Sequence, residues 1–208
     1  MDNQLKVDLY NNDKEGKFVE SKNLKIKYFE NFFSQEESYL YFNEILEKTP
    51  WNNPTSISWG RNTPYKRGVA WHGDEGKVYK YSGITVKPFP WNDLLIKIKS
   101  KIEEAFPTSY NSVLINDYKT GEIGMGWHSD DEKELGKNPV IGSVSFGAER
   151  DFYLKHKYEK DLNEKFLLSN GSLIIMYGST QHYWQHYIPV RKKINERRIN
   201  LTFRKIVF

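Results

Sequence analysis

After residue 110 the chain turns from helical periodicity to a succession of short strand-like runs, and that change narrows the folds open to it. Residues 113–118, 127–130, 140–146, 151–154, 166–168, 172–177, 183–188 and 199–203 are rich in β-branched and aromatic side chains, with turn residues between them. Strands this short cannot bury themselves singly, and their number and spacing predict a double-sheet jelly roll. Two amphipathic helices precede them. Ser34-x-x-Glu37 is a capping box that opens a helix through about Lys48, with Tyr39, Leu40, Phe42, Ile45 and Leu46 on its apolar stripe. Leu94, Leu95, Ile98, Ile102 and Phe106 repeat at helical spacing until Pro107 stops them. Both helices are expected on one sheet. Leu24 to Phe29 alternates as a strand, residues 51–73 are loop- and strand-like, and two short runs flank a Ser82-Gly83 turn. Residues 1–22 are polar and charge-balanced, which predicts a loosely attached lead-in.

Within this frame one stretch carries chemistry. A strand-like run at Val113 leads through Asn116-Asp117-Tyr118 and a turn marked by Gly121, Gly124 and Gly126 to His128-x-Asp130. On an extended strand, residues i and i+2 project to one side, so an imidazole and a carboxylate would converge on one point. A divalent metal held there needs a third ligand, and both His182 and His186 lie downstream at strand-like spacing. Two imidazoles and one carboxylate, with other coordination positions open, are the donor set of non-haem Fe(II) oxygenases. Isolated histidines are more often hydrogen-bonded core or surface residues, so the surrounding pattern has to decide. The 208 residues contain no cysteine, which excludes disulfides and thiolate metal sites. Net charge is +4, and basic residues gather late, at Arg191, Lys192, Lys193, Arg197, Arg198, Arg204 and Lys205. A polyanionic partner is compatible with that balance. The start of the chain has no apolar signal core and no run suits a membrane span, so an intracellular protein in cytoplasm or nucleus is expected.

The ordered set Asn116-x-Tyr118, His128-x-Asp130-Asp131-Glu132, Ser143-Val-Ser-Phe-Gly147, Arg150-Asp-Phe152, Gly171-Ser-Leu173, His186-x-x-Pro189 and Arg198-Ile-Asn-Leu-Thr-Phe-Arg204 resembles the AlkB family, especially its eukaryotic duplex-DNA-acting members. The likeness spans roughly residues 55–205. It implies a mainly β, α+β double-stranded β-helix (jelly roll) with two supporting helices and an N-terminal nucleotide-recognition lid. Residues 23–110 would hold the extension and lid, and residues 111–208 the catalytic core. Fe(II), 2-oxoglutarate and dioxygen are the implied cofactor and cosubstrates. His128, Asp130 and His186 would bind the metal, with His182 outside the ligand set because the Pro189 spacing favours His186.

By the same resemblance Asn116, Tyr118, Arg198, Thr202 and Arg204 would bind 2-oxoglutarate. Arg204 would take the carboxylate away from the metal and Arg198 the nearer end, since a guanidinium fork matches a carboxylate. Asp131 and Glu132 would contact the edge of the damaged base, and Tyr79 and Ser82 would lie over it. Trp59, Gly60 and Arg61 align with a finger that fills the gap left when a base leaves a duplex. Ser129 stands where relatives often have a longer side chain, so loss of a contact to the neighbouring strand is expected. His72 stands where the family pattern usually has tyrosine. Arg191-Lys192-Lys193 resembles a phosphate-contacting loop. The implied activity is oxidative demethylation of 1-methyladenine and 3-methylcytosine in DNA by a monomer, duplex favoured over single strands, releasing formaldehyde, succinate and CO2. The alternatives are the same chemistry on RNA or another substrate, or a nucleic-acid-binding module without catalysis.

Overall fold

The computed structural model describes residues 15–52, 55–58, 61–64, 66–76, 79–81 and 84–207. In chain order its elements are β1 (Lys17–Ser21), β2 (Leu24–Phe29), α1 (Gln35–Lys48), β3 (Thr55–Ser58), β4 (Arg61–Pro64), β5 (Gly68–Gly73), β6 (Tyr79–Tyr81), β7 (Ile84–Val86), α2 (Asp93–Ala105), β8 (Ser112–Tyr118), β9 (Met125–His128), β10 (Ile141–Gly147), β11 (Arg150–His156), β12 (Asn163–Leu168), β13 (Ser172–Met176), α3 (Thr180–Tyr183), β14 (Trp184–Ile188) and β15 (Arg198–Arg204). A seven-stranded sheet runs β1-β2-β13-β10-β15-β8-β5 and faces a four-stranded sheet β12-β11-β14-β9. This is the jelly roll that the strand spacing predicts. Among the described residues no helix is long and apolar enough to cross a membrane.

Alternation along the strands of the larger sheet divides two environments. Val113 and Ile115 of β8, Val144 and Phe146 of β10, and Ile199, Leu201 and Phe203 of β15 point to one face. They pack with Tyr41 and Ile45 of α1 and Leu95, Ile98 and Ile102 of α2. The capping box forms as expected: Ser34 Oγ accepts from the Glu37 amide at 3.1 Å and Glu37 Oε2 from the Ser34 amide at 3.0 Å. Asn92 caps α2 by accepting from the Leu95 amide. The opposite face of the same strands looks toward the smaller sheet. There Ile141, Ile174 and Met176 meet Phe152, Leu154, Trp184 and Ile188 in a second core. The helix-covered face is wholly apolar over β15, whereas its other face carries Arg198, Asn200, Thr202 and Arg204, all buried. Such a set of polar side chains inside a sandwich needs partners, and it marks where the two sheets enclose something other than packing.

Two expectations about the strands are corrected. Lys17–Ser21, placed with the loose lead-in, pairs along its whole length with β2, from Lys17 opposite Tyr28 to Ser21 opposite Leu24. Hydrogen bonding to β2 and packing of Val19 against the second core outweigh its polar composition. The strand expected over residues 127–130 instead covers Met125–His128 and ends before Asp130. The runs flanking residues 82–83 do pair as a hairpin, Tyr79 opposite Val86 and Tyr81 opposite Ile84, and Ser58 pairs with Arg61. Trp59, Gly60 and Ser82 lie outside the described residues.

Candidate metal centre

The smaller sheet brings two histidines together. β9 and β14 are antiparallel with His128 directly opposite His186, and the imidazole centroids are 4.2 Å apart. Asp130 joins them from just beyond the end of β9, not from the strand ladder. Its backbone N–H donates to the Gln181 side-chain oxygen at 2.9 Å, and the adjacent Ser129 hydroxyl donates to the Trp184 carbonyl of β14 at 2.9 Å. The expected loss of a strand contact at Ser129 therefore does not occur, because a short hydroxyl reaches that carbonyl. One potential ligand atom from each of His128, Asp130 and His186 lies within 4.8 Å of the others. His182 stands apart in the short helix α3, where its Nε2 accepts from the Asn138 amide at 3.2 Å. It shares no strand face with His186.

Protonation states suit a cation. His128 Nδ1 lies 2.8 Å from the Gly126 carbonyl, to which it can only donate, so its lone pair falls on Nε2. Burial pushes the His186 imidazole down to about 3, with His128 acting in the same direction, so it is neutral at neutral pH. Burial alone would raise the Asp130 carboxyl, but the Arg204 guanidinium, aided by both histidines, carries it below the usual value. Arg204 Nη2 donates to Asp130 Oδ1 at 2.7 Å.

That contact bears on the expected division between the two arginines. Arg204 stands against the metal-site carboxylate, and Arg198, at the other end of β15, stands away from it. Arg198 Nη2 donates to the Ser145 hydroxyl at 3.0 Å, and its guanidinium carbon is 5.1 Å from the Tyr118 ring centroid. Its Nε and Nη1 find no hydrogen-bond acceptor among the described residues. Burial, reinforced by Arg150, lowers its pKa to about 10 against the pull of Tyr118, so it still carries charge at pH 7. A fully enclosed cation with vacant donors is costly unless an anion meets it. The donor chemistry thus fits the implied group: two imidazoles and an ionised carboxylate for Fe(II), and a waiting guanidinium for a dicarboxylate.

His128, Asp130, His186, Tyr118, Arg198 and Arg204 line one cavity of about 80 Å³, together with Asn116, Thr202, Glu132 and Arg67. Asn116 Oδ1 accepts from Arg67 Nε at 2.8 Å, and Thr202 donates to Asn200 Oδ1 at 3.0 Å. Of the two acids after Asp130, Glu132 lines the cavity. Asp131 turns aside to an ion pair with Lys157 at 3.0 Å. Arg191 is engaged by Asp151 through Nε at 2.9 Å, while Lys192 and Lys193 are exposed. Of the lid residues, only the backbones of Arg61 and Tyr79 are described, in β4 and β6.

Several contributors carried no signal that sequence reading used. Arg67 sits in a stretch interrupted by Pro64 and Gly68, without periodicity. Gln181, buried in α3, anchors the Asp130 amide. Arg150, quoted in the motif without a role, is buried and donates from Nη2 to the carbonyls of Ile123 at 3.0 Å and Pro189 at 2.5 Å. It staples the glycine turn before β9 to the end of β14 and so fixes His128 opposite His186. Gly121 belongs to that staple: its amide donates to the Ile194 carbonyl, and a Cβ there would lie 2.1 Å from the Arg191 carbonyl oxygen. Gly121→Ala is expected to force the two loops apart. It should weaken iron binding, read by titration of Fe(II) against a competing chelator, at least tenfold, while Gly126→Ala, whose Cβ would meet nothing within 4 Å, leaves it unchanged.

Comparison with known proteins agrees with this geometry. Residues 25–204 match the model of the 2OG-Fe(II) oxygenase superfamily. The chain is 38% identical over 184 residues to alpha-ketoglutarate-dependent dioxygenase alkB homolog 3 of Bos taurus, covering 84% of this chain and 64% of that protein. It is 36% identical over 183 residues to the DNA oxidative demethylase ALKBH2 of Mus musculus, covering 85% of this chain and 74% of that one. It therefore spans less than two thirds of the bovine relative's length. Among solved structures, OsALKBH1 superposes with a TM-score of 0.61 at 18% identity over 86% of this chain and 97% of that one, a likeness of fold.

Proposed function

Since this chain belongs to the AlkB family within the 2OG-Fe(II) oxygenase superfamily, we propose that it removes N-methyl groups oxidatively from 1-methyladenine and 3-methylcytosine in nucleic acid. The observation that carries this reading is a cavity with a His-Asp-His cluster in its wall and an enclosed cation, Arg198, with vacant donors. His128 Nε2, one imidazole nitrogen of His186 and a carboxylate oxygen of Asp130 would hold Fe(II). When bound, the iron with 2-oxoglutarate and dioxygen supplies the oxidising power to hydroxylate a methyl group, leaving succinate and CO2. The hydroxymethyl base then sheds formaldehyde.

The protein's own side chains account for the rest. Arg204 keeps Asp130 ionised and oriented. Arg198, with the Ser145 hydroxyl and the Tyr118 ring beside it, takes the cosubstrate carboxylate distant from the metal. Asn116, steadied by Arg67, and Thr202, steadied by Asn200, orient the keto acid between them. A base methylated at N1 of adenine or N3 of cytosine is cationic, and Glu132 offers it a carboxylate at the cavity wall. Asp131, tied to Lys157, supports that placement from outside.

Duplex DNA is the favoured substrate and a monomer the working form; Trp59-Gly60-Arg61 supports the duplex by its sequence alone. Methylated single-stranded DNA, duplex DNA and RNA, each given with Fe(II) and 2-oxoglutarate, should return unmodified base from at least one of them. Succinate without base recovery from any of the three sinks the substrate assignment and leaves the oxygenase chemistry standing. Trp59→Ala should slow repair of the duplex by about five- to 150-fold, the range for one lost base–aromatic stack of about 1–3 kcal/mol, and spare single strands. Equal losses on both would make Trp59 a packing residue.

A further inference from the structure

The outer face of the four-stranded sheet carries rings that neither the core nor the cavity uses. His128 and His186 face the cavity; alternation along β14 turns Tyr187 outward, and the Trp127 ring meets it on that outer face. Tyr153 of β11 stands opposite Tyr187, and Lys165 of β12 opposite Tyr153. The rings form a row across three strands, with centroids 5.4 Å apart from Tyr153 to Tyr187 and 4.2 Å from Tyr187 to Trp127. Trp127 ends the row on the outer strand β9 and is 39% exposed.

Cations attend these rings. Lys155 Nζ lies 4.4 Å from the Trp127 centroid and Lys165 Nζ 5.3 Å from that of Tyr153. Arg191 Nη2 reaches the Tyr153 hydroxyl at 3.4 Å, and Lys192 and Lys193 follow it in the same exposed loop. Asp151, the carboxylate that alternation puts on this face, is already shared by Lys165 and Arg191. Aromatic faces tended by cations in excess of acids match one kind of partner, a flexible polyanion with planar groups.

We propose that this face is a binding track for single-stranded nucleic acid, its bases stacking on Trp127 and Tyr187 while Lys155 and Lys165 meet its phosphates. The inference rests on the reading that the substrate is nucleic acid, and it extends that reading to strand geometry. β9 borders both regions: His128 lines the cavity and Trp127 lies outside it. A strand with one base in the cavity can pass round this edge onto the track. The Lys155 ammonium rests on the indole where a base would stack, and a phosphate would draw it away. Bases here must be unpaired, so the track adds single-stranded substrates to the duplexes that Trp59 favours.

The test is fluorescence anisotropy of unmodified, labelled dT20 and rU20 on the full chain, wild type against Trp127→Ala and Lys155→Gln. Trp127→Ala should weaken binding about tenfold, and Lys155→Gln should reduce the slope of log affinity against log salt by about 0.7. Loss in either oligonucleotide arm supports the track and names the sugar it accepts. Turnover of a methylated trinucleotide, too short to reach the face, should keep its kcat in both variants. Unchanged oligonucleotide binding in both variants, or a trinucleotide kcat that falls with the binding, overturns the track. A wild type that repairs methylated bases while the variants bind normally discards the track and keeps the demethylase reading. Trp127-dependent binding with no base recovered does the reverse.

Discussion

His128→Ala and Asp130→Asn are each expected to abolish succinate formation while leaving affinity for DNA largely intact. Each removes one of three donor atoms that lie within 4.8 Å of one another, and two remaining ligands would hold Fe(II) weakly in a site otherwise open to water. Asp130→Asn is the cleaner of the two carboxylate variants. Alanine would leave the Arg204 guanidinium buried without the oxygen it now meets at 2.7 Å, which adds a folding defect of roughly 3–5 kcal/mol to the loss of the ligand. An amide keeps an oxygen for Arg204 and takes away the charge that the metal requires. On the proposed track, binding of nucleic acid measured without iron would depend on surface cations and rings that neither substitution removes, so it should change little. Succinate release at the wild-type rate from either variant would remove the ligand assignment, and loss of DNA affinity equal to loss of turnover would mean the fold itself had been damaged.

The metal cluster and the cavity wall differ in how much of them sequence could reveal. Arg198-Ile-Asn-Leu-Thr-Phe-Arg204 is legible because one face of β15 packs on helices and the other on the cavity, so polar and apolar residues alternate without a break. Periodicity gives the shared face and not the direction. Which arginine meets the metal site depends on the antiparallel pairing of β15 with β8 and β10, which sets Arg198 opposite Tyr118 and Gly147 and Arg204 opposite Ser112. That is a long-range fact, which periodicity within β15 does not carry. Asp130 likewise sits near His128 for a reason outside its own stretch. Strand spacing pointed to the residue that lies beside both histidines, but a side chain from α3 holds it, through the Gln181 oxygen. Arg67 shows the opposite limit: a lone arginine among glycine and proline has no period to read, and only the pairing of β5 with β8 brings it to Asn116.

The roles proposed for the two arginines lead to the second large effect. Arg198→Met should raise the KM for 2-oxoglutarate by about thirtyfold or more, since truncating one partner of a buried charge pair costs about 2–5 kcal/mol. Methionine fills most of the volume and removes a cation that burial already disfavours, so the free protein should fold at least as well as the wild type. Iron affinity should be nearly unchanged, because Arg198 touches none of the three metal-binding side chains. Arg204→Met should give a different signature. Without its guanidinium the Asp130 carboxyl, buried and deprived of the partner that holds its pKa down, takes up a proton more readily. Iron affinity should then fall, and fall further as pH drops, since the folded-state pKa has moved up toward the working range. Measuring 2-oxoglutarate KM and Fe(II) affinity from pH 6 to 8 for both variants separates the roles: a cosubstrate defect without a metal defect for Arg198, and a pH-dependent metal defect for Arg204. The opposite pattern would support the division that the family resemblance implied and would mean that the Arg204–Asp130 contact does not govern the site.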